Sequence, residues 1–313
     1  MMHALIDTGT SALFFVWSTW FYHFYKPGSR SNLPIGYYQC PGSCSPIQPT
    51  DFPYLDGTKV YVFQHRGNAR IGQTDAGSIK FGLVYKYEAP DNAPPFHSIG
   101  LGTQVYPGYP SLMSQLQGKA ADTSFALHLR AHRCGAVTGE LLLGGGDPSL
   151  YVAPLTFIPL RSQGYHVVEI GSLQVGSRHK TIGINQDAVI DSGAEGLFVP
   201  NMYFEALIKD IFDQATALAG APIHPQWVPK ARLYEFDCAF MDFFPPIEIG
   251  LGSAGQPPIL VTNYARNSGG ICSVAITGEA TTRWTLPAFI LVGTYFEFRP
   301  SQSKLGVAKL AQN

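Results

Sequence analysis

Residues 4–14 of this 313-residue chain read ALIDTGTSALF and residues 188–198 read AVIDSGAEGLF, identical at six of the eleven positions. Each copy centres on an aspartate, Asp7 and Asp191, 184 positions apart (191 − 7). A chain that twice delivers a carboxylate from an apolar run into an Asp-Thr/Ser-Gly turn places two acids in equivalent surroundings. Two carboxylates brought close cannot both ionise, so one keeps its proton at acid to neutral pH. Such a pair is a base and an acid at once. One member deprotonates a water while the other polarises an amide carbonyl, which hydrolyses the bond with neither metal nor covalent intermediate. Asp7 and Asp191 are therefore the candidate catalytic residues. Thr8 and Ser192 offer hydroxyls able to bond across to the other copy. Gly9 and Gly193 permit tight turns whose N–H groups point at a carboxylate, and Thr10 can donate to the outer oxygen of Asp7. A lone Asp-Thr-Gly is most often only a strand-ending turn; duplication in matching apolar frames gives the motif its weight.

Short buried strands must carry these turns. Ala4, Leu5 and Ile6, like Ala188, Val189 and Ile190, are compact, partly β-branched and followed by turn residues. Runs 59–64, 78–85 and 165–173 also have strand character. The spacing of Phe204, Leu207, Ile208, Ile211, Phe212, Ala215 and Leu218 after Pro200 predicts one long helix over 202–218. With 33 Gly and 24 Pro, the composition suits short strands joined by many turns, and the chain is expected to be all-β with a few short helices. Its length allows about two domains.

The bulk properties exclude several classes. Charged residues are 14 % with a net charge of −1, and no Lys/Arg run or stripe recommends a nucleic acid as partner. The aromatic run over 12–25 is too short for a membrane span, which needs roughly 20 residues, and reads as a strand followed by a loop. Asp7 interrupts any apolar core that a secretory signal would require. Residues 144–147, Gly-Gly-Gly-Asp, lack the Gly-Lys-Ser/Thr of a phosphate loop and read as a turn. Five Cys leave at least one thiol unpaired. Cys40 and Cys44 also read as half a metal site, but no second close Cys or His pair answers them, so no metal and no cofactor are expected. Cys134, beside His132, reads as a structural or unpaired thiol rather than a nucleophile.

The two motifs and their separation resemble those of the pepsin-like aspartic peptidases, whose two lobes contribute one Asp each. Ser98 to Gly102 (SIGLG) is similar to the family's apolar-apolar-Gly segment behind the first Asp, and Leu291-Val292-Gly293 to its counterpart in the second lobe. Residues 111–116, 141–148 and 165–176 also resemble family segments in the expected order. The resemblance implies a bilobal pepsin-like fold with lobes at 1–155 and 156–313, disulfides Cys40–Cys44 and Cys238–Cys272, and a monomer. It implies an endopeptidase that holds an extended peptide or protein in the inter-lobe cleft, in the secretory pathway, outside the cell or in a vacuole or lysosome. A homologue that has lost catalysis and only binds peptides is the competing expectation.

Three departures from the family pattern stand out. Only six residues precede Asp7, so the chain is expected either to be a truncated product or to have lost the usual N-terminal strand. The hairpin over the cleft aligns His65 with a customary Tyr, followed by Arg66 and Gly67. Ala194 replaces the hydroxyl residue that Thr10 supplies in the first copy, which raises the affinity of Asp191 for its proton.

Overall fold

The computed structural model describes residues 2–25, 35–42, 44–72, 74–90, 93–120, 122–131, 137–161, 164–252 and 258–312. Among the described residues strands hold 49 % and helices 17 %, in keeping with an all-β protein that has few helices. The chain forms two compact units, Met1–Ala121 and Asp122–Asn313.

In the first unit, β1 (Leu5–Asp7), β2 (Leu13–Val16), β3 (Thr50–Pro53), β4 (Lys59–Ile71), β5 (Thr74–Glu88) and β6 (Ser98–Gly100) make one sheet in the order β1-β6-β2-β5-β4-β3. The strand β1 is parallel to β6, with Asp7 opposite Gly100, whereas β2 is antiparallel to β6 and parallel to β5. An aromatic core made by Phe14, Phe52 and Phe21 with Val60, Val62 and Val84 backs the sheet. Phe14 stacks on Phe52, with ring centres 5.9 Å apart. Residues 17–25 depart from the loop expected of them. Ser18–Trp20 is a helical turn that widens over Phe21–Tyr25, because Trp20 and Phe21 turn inward and Phe21 meets Tyr37 at 4.8 Å. Among the described residues, no helix is long and apolar enough to cross a membrane.

The second unit continues with β7 (Phe125–Ala131), β8 (Val137–Leu143), β9 (Tyr151–Pro159), β10 (Val167–Val175), β11 (Thr181–Asp191) and β12 (Leu197–Pro200). After a helix come β13 (Gln226–Val228), β14 (Leu233–Phe236), β15 (Ile247–Leu251), β16 (Ile259–Val261) and β17 (Ala265–Ser268). The last strands are β18 (Ile271–Val274), β19 (Ile276–Glu279), β20 (Trp284–Pro287), β21 (Thr294–Arg299) and β22 (Lys304–Leu310). They form sheets ordered β16-β15-β10-β11-β20-β12-β19, β13-β14-β18-β17 and β8-β7-β21-β22-β9. Residues 122–131 and 137–155, expected in the first lobe, are tied here by the pairing of β7 with β21 and of β9 with β22, so compactness divides the chain ahead of 155. The helix runs Asn201–Ala219, close to its expected span. It buries Phe204, Leu207, Ile208, Ile211, Phe212 and Ala215 toward β10, β12 and β19, and it ends on Gly220 in the left-handed region.

The same four-strand pattern occurs in both units. The strand β11, which carries Asp191, is parallel to β20; β12 is antiparallel to β20 and parallel to β19. The sequence repeat is thus also a repeat of topology: β1-β6-β2-β5 in one unit and β11-β20-β12-β19 in the other. This register corrects one expectation. The counterpart of Ser98–Gly100 is Trp284–Pro287, with Pro287 opposite Asp191, and not the segment Leu291 to Gly293, which follows in a short helical turn and its exit. The strand ends in proline and so carries no terminal glycine to mark it.

Gly100 is needed for space. A Cβ there would run into the backbone of Ser11 and Ala12, which has little room to yield. Gly100→Ala is expected to destabilise the protein by about 1–3 kcal/mol, the range for overpacking. Urea denaturation measures it, and an unchanged midpoint would contradict the close approach.

Candidate functional site

Both aspartates end a strand and accept a bond from their own turn. The Gly9 N–H donates to Asp7 Oδ1 at 2.8 Å, and the Gly193 N–H donates to Asp191 Oδ1 at 2.9 Å. In each turn the carboxylate closes a ring with the amide two residues on, a local device that fixes the side-chain rotamer. Asp7 is 4 % exposed, with Thr8 and Thr10 also buried, whereas Asp191 and Ser192 are half-buried. Each carboxylate is thus held by a backbone amide of its own turn.

The first turn is braced from beyond β6. Leu101 N–H donates to Asp7 O and Gly102 N–H to Thr10 O, both at 2.7 Å. The Gln104 side-chain amide donates to Gly9 O at 2.8 Å, and Ser11 Oγ returns a bond to Gln104 O at 2.8 Å. Thr10 Oγ1 accepts from Ala12 N–H at 3.1 Å and lies 3.5 Å from Tyr106 Oη, whose ring packs on Phe52 at 4.8 Å. Gln104 and Tyr106 were not singled out on sequence. The available signal was their position just past the SIGLG segment, which the parallel pairing with β1 carries alongside the turn. In the second turn Ala194 N–H donates to Asp191 O at 3.2 Å, and its methyl group offers no hydroxyl where Thr10 has one.

The hairpin residues belong to β4. His65, Arg66 and Gly67 sit in the middle of β4, several residues before the turn at Gly72, with His65 opposite Phe81. His65 Nε2 is 3.0 Å from Tyr38 Oη, and Nδ1 is 3.5 Å from Cys44 Sγ. Burial pushes the His65 imidazole below the ordinary histidine value, so it resists the positive charge expected below pH about 6.5. Arg66 is exposed; a Cβ on Gly67 would crowd Tyr38 Oη at 2.8 Å. Both expected disulfides, Cys40–Cys44 and Cys238–Cys272, are present. Cys134 and His132 lie outside the described residues.

A family model described as eukaryotic aspartyl protease matches residues 81–310, well over half of the chain. The chain belongs to that family. It is 27 % identical to napsin-A of Mus musculus over 267 residues, 79 % of this chain and 57 % of that protein. Identity to cathepsin D of Clupea harengus is 24 % over 214 residues, covering 66 % of this chain and 50 % of the relative. Identity to chymosin of Callithrix jacchus is 23 % over 290 residues, 85 % of this chain and 72 % of the relative. The chain thus spans about half the length of napsin-A and cathepsin D. Of the two aspartates, Asp191 falls inside the family match and Asp7 precedes it.

A buried histidine links this pepsin-like site to pH. His97 is fully buried; its carbonyl accepts from Leu5 N–H on β1 at 2.9 Å, and its Nδ1 accepts from Val16 N–H on β2 at 2.9 Å. The ring proton is therefore on Nε2, 3.2 Å from Gly36 O. Burial, aided by the nearby charge of His3 and opposed by the backbone carbonyls, lowers its proton affinity. The unfolded chain takes up this proton near pH 6.5 while the folded chain resists it, so the contribution is complete above about pH 6.5 and is lost as pH falls toward the lower folded value. His97→Gln, whose amide oxygen can accept from Val16, is expected to flatten the fall in thermal midpoint between pH 7 and pH 5. Parallel curves for the two proteins would refute this assignment.

Proposed function

We propose that this protein is an aspartic endopeptidase that cleaves internal peptide bonds of proteins with Asp7 and Asp191 as its reacting pair. The observation that carries the reading is the matched turn: in both units a carboxylate leaves a strand of the same topological rank and accepts its bond from the glycine N–H two residues later. Equivalent surroundings suit two acids that share one proton.

In this reading each lobe, 1–155 and 156–313, supplies one acid, and an extended peptide lies in the cleft. The unprotonated carboxylate takes a proton from a water as that water attacks the carbonyl carbon. The protonated carboxylate donates to the carbonyl oxygen, and the tetrahedral intermediate collapses when the amide nitrogen is protonated. Thr8, Ser192, Gly9 and Gly193 keep the turns in shape; Thr10 and Gln104 hold the first one. His65, Arg66 and Gly67 on the long hairpin contact the substrate in the same proposal. Two disulfides support residence in an oxidising compartment, the secretory pathway or beyond it. The protein works as a monomer, because one chain carries both acids.

Asp7→Asn and Asp191→Asn are each expected to lower kcat on a quenched peptide by at least about 10²–10⁴-fold, the range for loss of a general acid or base. A pepstatin-class analogue is expected to compete with that peptide. Full turnover by either variant would remove the mechanism.

Ala194 bears on the working pH. A hydroxyl there would donate to the charged form of Asp191 and favour it, lowering its proton affinity. Ala194→Thr is expected to move the activity optimum toward acid. An optimum that stays put or rises contradicts that role.

A further inference from the structure

Cys40, Cys44 and His65 bring two sulfurs and one imidazole nitrogen within 4.8 Å of one another, and all three residues are half-buried. The spacing Cys-x₃-Cys alone offered half a metal site; the third ligand comes from β4, more than twenty residues later in sequence and invisible to any local motif. We propose that these three residues form a redox-gated site for Zn²⁺, closed while Cys40 and Cys44 are joined and open once they are reduced.

The geometry fits this metal. Tetrahedral zinc with Zn–S of about 2.3 Å and Zn–N of about 2.0–2.1 Å sets sulfur and nitrogen about 3.5 Å apart, and Cys44 Sγ lies 3.5 Å from His65 Nδ1. The other ring nitrogen, Nε2, faces Tyr38 Oη at 3.0 Å. A ligand histidine ordinarily has such a partner, which fixes its orientation and tautomer. Tyr38 is itself anchored, since its backbone N–H donates to Val16 O at 2.9 Å and its carbonyl accepts from Ser18 N–H at 3.1 Å. Access is open: Cys44 borders two surface hollows of about 560 and 570 Å³, the first also lined by Cys40 and the second by His65. Three protein ligands leave a fourth position for water or an anion, and the Arg66 and Lys80 side chains on the second hollow favour an anion there.

Two states of the same sulfurs exclude each other. Reduction by a thiol reductant transfers two electrons to the Cys40–Cys44 bond: two RSH become RSSR, and each cysteine leaves as a free thiol. The sulfurs can then separate to about 3.8 Å, the spacing tetrahedral zinc requires. Binding displaces one proton from each thiol, so Zn²⁺ is held by two thiolates and a neutral imidazole. In the oxidised state the disulfide closes only the 40–44 loop. In the metal state that loop is fastened through His65 to the long β4–β5 hairpin.

The test titrates Co²⁺, a spectroscopic stand-in for Zn²⁺, into the full chain with and without a phosphine reductant, following thiolate-to-cobalt absorption and its loss on adding Zn²⁺. One equivalent is expected to bind the reduced protein and none the oxidised protein. Cys40→Ser/Cys44→Ser is expected to abolish binding under reduction, which separates this site from Cys134, Cys238 and Cys272. His65→Gln keeps both cysteines and their disulfide; it is expected to weaken binding by more than the roughly 10–100-fold that losing an outer partner costs, the loss expected for Tyr38→Phe. The proposal is overturned if the reduced protein binds no Co²⁺, if the double serine variant binds as tightly, or if His65→Gln has unchanged affinity.

Discussion

The structure depends on a ring of few atoms made twice: a carboxylate oxygen accepting the amide of the glycine two positions on. Because this bond is local, each acid is oriented from within its own turn. Because each acid ends a strand paired in parallel with another, the turn cannot slide along the sheet. A one-residue slip would carry the whole strand to the opposite face; in the second turn it would expose the buried Ile190. The strand pairing therefore sets where each carboxylate stands, and the glycine amide sets how it points.

The two halves satisfy this constraint with different local means. Gly100 faces Asp7, Pro287 faces Asp191, and both close the same parallel pair. The first turn sits under Gln104, Ser11 and Tyr106 and is almost sealed from solvent; the second is more open, with Ala194 where the first has Thr10. Topology is repeated more faithfully than side chains. That is the pattern expected when backbone geometry carries the shared demand and each half is free to repack around it.

Much of this was legible in the residues. The repeat around Asp7 and Asp191 marked the strands and turns that structure reproduces, and the spacing of Phe204 to Leu218 marked the one long helix. Polar brackets such as Gln104 and His97 were not legible, because their partners lie about sixty to ninety-five residues away and nothing local marks a Gln that will bond Gly9. The helical turn at 18–25 was hidden for a related reason. A dense aromatic run has no period, and its course is decided by which rings find a core, here Trp20 and Phe21. The strand ending at Pro287 was not legible either, because no glycine marks it and its shared feature is a parallel partner far away in sequence.

The parallel pairs have a kinetic corollary. Leu5 meets Ser98, and Ala188 meets Trp284, so each acid-bearing strand finds its partner only after a loop of 93 (98 − 5) or 96 (284 − 188) residues has closed. Closing such loops costs entropy before any contact repays it, and that ordering makes these pairings late events in folding. The hairpin of β4 with β5 and the helix Asn201–Ala219 need no such wait. A nascent or partly unfolded chain can thus own much of its secondary structure while lacking both seated acids.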